Sequence, residues 1–360
     1  MPKRIVVFRT GQLGDMLVSV PALWAIREHF ADAHITLLCD FHPEKGYVHA
    51  SDVLEGAGIV DDFICYRVAE QRGVRGQISE GLALLKVLRR HRYDLLVYLV
   101  HSERSLGQLR RDWLFFCLAG IRRVVGMEGG CPLPKPMPGG RLAWVEREGD
   151  LLLRRLEMAG IGGAGKERRY DINTGSKEEA EVREWLTGLS PDGGRRWIAV
   201  APGSKMPVKK WPVERYREVV SRLVQDHDLW PVVFGGREDV DLGMALVRYW
   251  DRGYVAAGHL GVRAAVAALS RCLFYLGNDT GTMHLAAAAG IKCVAIFTAR
   301  DCPGRWYPYG RHFVFRRQVP CEGCMTQDSC PHGGKCINAV SIDNVHHACC
   351  RVMDMIMVRS

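Results

Sequence analysis

The chain has 360 residues, 48% apolar and 25% charged, and its 49 basic against 40 acidic residues leave a net charge of +9. That length exceeds one ordinary core, so two domains are expected, and the composition excludes a disordered chain. No run approaches the roughly 20 apolar residues of a membrane-spanning helix, and no basic run interleaved with aromatics marks a nucleic-acid platform. The positive balance favours anionic partners instead: phosphate-bearing substrates or the anionic face of a membrane. With no signal peptide ahead of its first strand, the protein is expected to be cytoplasmic and peripheral at the inner face of the cytoplasmic membrane. In that setting its 13 cysteines read as thiols or metal ligands rather than a disulfide framework.

Ile5 to Phe8 is a short, wholly apolar run of the kind found inside parallel sheets. A glycine turn, Arg9 to Asp15, follows and opens a helix, with Pro21 expected near its first turn. The glycines are spaced G-x-x-G, so the G-x-G-x-x-G dinucleotide fingerprint is missing. Asp15 stands where open α/β sheets place ligands; it is either a helix cap or a working base. Arg9, at the strand end, is a candidate contact for an acceptor phosphate, with Gly14 beside it, although an arginine there can also simply pair with an acid.

Strands are predicted over 34–40, 60–66, 94–100 and 123–127, alternating with helices over 81–90 and 109–119, which is the pattern of a doubly wound sheet. The Pro- and Gly-rich stretch 129–140 reads as a surface loop of the first domain, either a mobile connector or the border of an acceptor site. After a helix over 150–159, a glycine-rich break at 160–165 precedes a domain boundary near residues 171–177. This gives domains 1–172 and 173–340. The second half repeats the grammar, with a helix over 177–189 and strands at 197–201, 230–234, 254–257, 273–277 and 292–298. Two such sheets predict a cleft between domains.

Three turns in this half carry chemistry. Pro202 to Pro212 is a glycine turn with three lysines and Ser204, suited to neutralising a pyrophosphate. Gly235-Gly236-Arg237-Glu238-Asp239 places an acid at a strand end, where Glu238 or Asp239 can meet a ribose diol or serve as a helix N-terminal acid. Gly277 to Leu285 reads as a buried strand ending in a tight turn that opens directly into a helix. The unpartnered N–H groups of that helix start attract anions, and small residues at Gly281 and Thr282 allow close approach. Asp279, at the last strand position, can accept from sugar hydroxyls; an ordinary helix cap by Asp279 or Thr280 is the competing reading.

Taken together, the blocks Gly11 to Pro21, Pro202 to Pro212 and Gly277 to Ala288 resemble glycosyltransferase family 9, the ADP-heptose:lipopolysaccharide heptosyltransferases, in the right order over nearly the whole chain. The resemblance implies a GT-B fold of two Rossmann-like domains, the first for the acceptor and the second for the nucleotide sugar. It also implies an inverting reaction with no metal in catalysis. The acid of the family's G-D pair falls on Asp15, which would be the general base, and the lysine before W-P falls on Lys209, which would contact the diphosphate. Ser204 would lie near the same phosphates, and the D-T-G-x-x-H block matches Asp279, Thr280, Gly281 and His284. The acid after G-G would bind ribose, with Glu238 and Asp239 both eligible. Ala201 stands where many members have histidine, so it is given no role. The partners so implied are an ADP-sugar donor and a lipopolysaccharide core or lipid A precursor, without nucleic acid. Competing readings are another nucleotide sugar or acceptor on the same fold, a sugar-nucleotide epimerase, and a non-catalytic scaffold.

Cys321, Cys324, Cys330 and Cys336 fall within sixteen residues, and the C-x2-C pair fits either a structural zinc or reduced thiols. The final helix, over 341–358, has an apolar stripe, and in two-domain transferases of this fold such a helix is expected to cross back to the first domain.

Overall fold

The structure is a computed structural model and describes residues 2–42, 48–68, 74–101, 103–128, 133–135, 137, 140–162, 168–189 and 194–358. Much of the loop expected at 129–140, and part of the glycine-rich break at 160–165, lie outside the described residues. The chain forms two compact units, Met1–Leu133 with Glu146–Asn173, and Pro134–Val145 with Thr174–Ser360.

The first unit holds strands β1 (Arg4–Phe8), β2 (His34–Phe41), β3 (Asp62–Arg67), β4 (Leu95–Tyr98) and β5 (Val124–Val125), with helices α1 (Leu13–His29), α2 (Ala50–Leu54), α3 (Val74–His91), α4 (Leu106–Leu118) and α5 (Glu148–Met158). All strand pairs are parallel, in the order β3-β2-β1-β4-β5. Strands buried on both faces need no alternation, which is why Ile5, Val6 and Val7 form an unbroken apolar run with no exposure. Helix α1 packs on α5. Pro21 lies in the interior of α1, not in its first turn; it withholds one ladder hydrogen bond from a helix otherwise fixed by its buried side. The sheet's order reverses between β1 and β4, and open α/β sheets bind ligands beyond the strand ends at such a point.

The second unit holds α6 (Ser176–Thr187), β6 (Arg196–Ala201), α7 (Val213–His227), β7 (Leu229–Val233), α8 (Val240–Trp250), β8 (Tyr254–Val255), α9 (Val262–Leu269), β9 (Phe274–Asn278), α10 (Gly281–Ala288), β10 (Lys292–Phe297), β11 (Phe313–Arg316), α11 (Lys335–Asn338) and α12 (Ile342–Met357). Its six strands are parallel in the order β11-β10-β9-β6-β7-β8, with the reversal between β6 and β9. The edge strand β11 was not among the predicted strands.

Of the apolar stripe of α12, Val345, Ala348, Cys349 and Val352 are buried in the core of the second unit with Val219, Leu223 and Ile296, Ile356 packs against that core, and α12 packs on α7. Residues 134–145, expected to belong to the first domain, group with the second because their backbone is tied there. Leu142 N–H donates to Glu322 Oε2 at 2.8 Å, and Val145 N–H donates to the Pro303 carbonyl at 2.9 Å. Gly140 has a φ of +78°, and a Cβ there would fall 2.3 Å from the Pro320 carbonyl oxygen.

Candidate active site

In the first unit, the turn after β1 meets the residue after β4 at the sheet's reversal. Gly11 is extended to a φ of +125°, and a Cβ at this position would sit 2.5 Å from the Asp15 carboxyl carbon, so only glycine fits. Its N–H donates to Asp40 Oδ1 at 2.8 Å, anchoring the turn to the end of β2. Asp15 is the third residue of α1, and its Oδ2 accepts the Gln12 N–H at 2.8 Å. That is the cap expected as an alternative to catalysis, yet it engages one oxygen only. The other, Oδ1, lies 3.3 Å from His101 Nε2. His101 Nδ1 in turn lies 3.0 Å from Glu148 Oε1, so a carboxylate–imidazole–carboxylate chain runs from a buried acid to one that is 22% exposed.

Arg9 closes the arrangement from beneath. Its side chain is 0% exposed, its Nε and Nη2 donate to the Asp15 carbonyl at 3.1 and 2.9 Å, and its Nη1 donates to the Leu99 carbonyl at 2.7 Å. Nη1 also lies 3.6 Å from Glu148 Oε1. Arg9 therefore does not reach outward for an acceptor phosphate as anticipated; it takes the other course open to a strand-end arginine and pairs with an acid. Gly14 is half-buried in the first turn of α1, where N–H groups lack intrahelical partners.

Burial works to raise the Asp15 pKa, but the hydrogen bond and charge of His101, with Arg9 and the Gln12 N–H, bring it down to about 2. For His101, burial and Arg9 push the pKa down, while Asp15 and Glu148 push it up, and the net shift is upward. Burial also opposes ionisation of Glu148, but His101 and Arg9 outweigh it and lower its pKa. A carboxylate held below its ordinary value of 3.8 stabilises the fold above that value and loses the contribution as pH falls toward 2. An imidazole held above 6.5 contributes fully below 6.5 and loses the contribution as pH rises through its folded value. The urea midpoint of the first unit is therefore expected to fall as pH rises beyond 6.5, and His101→Gln is expected to remove that dependence. Identical alkaline profiles for the two proteins would show that His101 is not the titrating group.

In the second unit, the turn after β6 meets the turn after β9, again at the sheet's reversal. Asn278 is fully buried and joins them. Its Oδ1 accepts from Trp211 N–H at 3.1 Å and Tyr216 Oη at 2.8 Å, and its Nδ2 donates to the Pro202 carbonyl at 2.7 Å. This amide fixes Lys209 against Asp279, whose Nζ and Oδ2 are 2.6 Å apart. Ser204 is half-buried and its Oγ accepts the Met206 N–H at 3.1 Å. Thr280 is the N-cap of α10 without capping through its side chain, Gly281 is the first helical residue, and His284 is buried one turn on.

The pair Glu238 and Asp239 separates by burial. Glu238 is exposed, whereas Asp239 is buried and its Oδ2 accepts the Gly236 N–H at 3.0 Å. A Cβ at Gly203 or Gly235 would fall 2.1 or 2.3 Å from its carboxylate oxygens, so two strand-end glycines make room for it. Burial raises the Asp239 pKa, as does Glu238, against the Gly236 N–H and Lys210.

For the cysteines read as either a structural zinc site or reduced thiols, no group of three or more histidine, cysteine or acidic side chains among the described residues is placed to hold a metal ion. Cys321, Cys324 and Cys330 are half-buried and Cys336 is buried, all as free thiols. No helix among the described residues is long and apolar enough to cross a membrane.

The sequence profile of glycosyltransferase family 9 (heptosyltransferase) matches residues 143–331. Lipopolysaccharide heptosyltransferase 2 of Escherichia coli (strain K12) is 31% identical over 127 residues, 33% of this chain and 36% of that protein, so the chain spans about a third of the length of the curated relatives it matches. Among solved structures, the glycosyl transferase family 9 from Veillonella parvula DSM 2008 superposes with a TM-score of 0.73 at 21% identity, covering 97% of both chains. The E. coli ADP-heptose lps heptosyltransferase II superposes at 0.66 with 18% identity, covering 98% of this chain and 99% of that one.

Proposed function

We propose, from the premise that this chain belongs to glycosyltransferase family 9 (heptosyltransferase), that it is an inverting transferase moving heptose from ADP-heptose to an inner-core lipopolysaccharide acceptor. Its fold is GT-B, two Rossmann-like units each built on an open parallel sheet. The observation that carries the mechanism is the Asp15 carboxylate at the reversal of the first sheet, ionised across the neutral range and oriented by both the Gln12 N–H and His101.

In this reading an acceptor hydroxyl attacks the anomeric carbon of the sugar. Its oxygen forms the new bond, its proton passes to Asp15, and the bond from the anomeric carbon to the diphosphate oxygen breaks. A depressed pKa makes Asp15 a modest base. That suffices because the hydroxyl becomes strongly acidic only as its oxygen bonds to an oxocarbenium-like centre. His101 is a positioning residue, with Glu148 behind it. ADP departs with an added negative charge, and Lys209, Ser204 and the N–H groups at Thr280 and Gly281 supply the compensating donors, with no metal ion in catalysis. Asp279 and His284 lie in the same block, Asp279 exchanging part of its bond to Lys209 for sugar hydroxyls. Asp239, rather than the exposed Glu238, is the acid held rigidly enough to read the ribose. Gly14 lines the acceptor side.

The test is incubation with a panel of nucleotide sugars and a heptose-deficient lipopolysaccharide, followed by mass spectrometry of the acceptor. A gain of one heptose with release of ADP supports the assignment. Gain from a different nucleotide sugar supports transfer by the same fold with other specificity, and epimerised donor without acceptor modification overturns it.

The acceptor's lipid also gives a reason for peripheral membrane contact. Helices α3 and α4 expose Ile78, Leu82, Leu106, Trp113, Leu114 and Leu118, flanked by exposed Arg89, Arg90, Arg110 and Arg111, a combination suited to an anionic interface. Sedimentation with vesicles containing phosphatidylglycerol is expected to bind the protein, and Trp113→Ser with Leu114→Ser to weaken binding about tenfold or more. Equal sedimentation of the native chain and the double variant with the phosphatidylglycerol vesicles would refute this contact.

A further inference from the structure

Cys39 and Cys65 are not among the candidate site residues of either unit. They are register partners on the parallel strands β2 and β3, and their sulfurs lie 3.2 Å apart. Neighbouring strands run about 4.8 Å apart, inside the roughly 4.4–6.8 Å Cα separation that a disulfide spans. The two thiols are not equivalent. β3 is the edge strand and Cys65 is exposed, whereas Cys39 is buried one strand inward. His49, ahead of α2, is close enough to Cys65 to lower its pKa. The hydrogen bond with Cys39 and the neighbouring His49 both lower the Cys65 pKa against burial and Asp40, while Cys65 and burial push the Cys39 thiol up. The accessible sulfur on the edge strand is thus the attacking thiol and the inner one the resolving thiol. By contrast Cys272, Cys293 and Cys349 are buried, and burial raises their pKa values, which leaves them inert.

We propose that Cys39 and Cys65 form a reversible dithiol–disulfide site that reacts with low-molecular-weight disulfides. The Cys65 thiolate attacks one sulfur of the small disulfide, forming a mixed disulfide and expelling one thiolate. Cys39 then loses its proton to that thiolate or to solvent and attacks Cys65 Sγ, forming the Cys39–Cys65 bond and expelling the second thiol. Two electrons pass from the cysteine pair to the small disulfide, which leaves as two thiols.

The test is equilibration of the full chain across ratios of oxidised to reduced glutathione, acid quenching, alkylation and peptide mass spectrometry. The native chain is expected to give a peptide cross-link between Cys39 and Cys65, returned to two thiols by excess reduced glutathione. Cys39→Ser is expected to stop at a glutathione adduct on Cys65, and Cys65→Ser to leave Cys39 unmodified. His49→Ala, which leaves both sulfurs in place, is expected to slow the reaction of Cys65 several-fold near neutral pH. Circular dichroism of each variant separates chemistry from misfolding. A native chain in which Cys65 carries a lasting adduct, or in which Cys39 and Cys65 stay as reduced as Cys293 and Cys349, overturns the proposal.

Discussion

Asp15→Asn is expected to lower kcat by about a hundred- to ten-thousandfold, the range by which a positioned general base accelerates a reaction. The substitution preserves shape and leaves an oxygen to accept the Gln12 N–H, so the start of α1 should survive. The Asn278, Lys209 and Asp279 arrangement of the second unit is built from other residues, so affinity for ADP measured by calorimetry should stay within about threefold of the native value, well under 1 kcal/mol. The split between lost turnover and retained nucleotide binding distinguishes a base from a residue needed for folding. Native turnover in Asp15→Asn would end the base assignment. His101→Gln should produce a smaller loss, because it removes the partner that orients Asp15 and leaves the carboxylate itself.

Arg9→Met is expected to destabilise the first unit by about 3–5 kcal/mol, the usual consequence of stripping one partner from a buried ion pair. Glu148 is 2% exposed and would lose the guanidinium of Arg9 beside its carboxylate, while the Leu99 and Asp15 carbonyls would each lose a charged donor. Adding Glu148→Leu to Arg9→Met should recover a large part of that loss, since the orphaned charge is then absent. Urea unfolding monitored on the first unit reads both effects. A loss under about 1 kcal/mol for Arg9→Met would mean that Arg9 is not the brace its hydrogen bonds describe.

Much of this protein was legible without coordinates because the signals are local. An apolar run such as Ile5 to Phe8, a glycine turn and a helix start determine the strand–turn–helix units at Asp15, Lys209 and Asp279, and their sequence order is enough to expect two open parallel sheets. Burial of α12 in the second unit was not legible, since an amphipathic stripe states that a helix packs but not against which sheet. His101 had a visible signal: it follows the apolar strand 94–100. What was missing was the strand order that sets β4 beside β1 and so brings His101 to Asp15. Glu148 and Asn278 carried even less, the first because it approaches through the packing of α5 on α1, the second because a buried asparagine declares itself only by the groups it joins. The choice between Asp239 and Glu238, and the turn of Arg9 inward, were likewise tertiary outcomes, since burial depends on neighbours distant in the chain. The sequence by itself determined which residues occupy strand ends and helix starts, because backbone stereochemistry and hydrophobic periodicity act over a few residues. Only the tertiary structure decided which of those ends meet and which charges are buried together, because strand order and desolvation arise from contacts that no local pattern encodes.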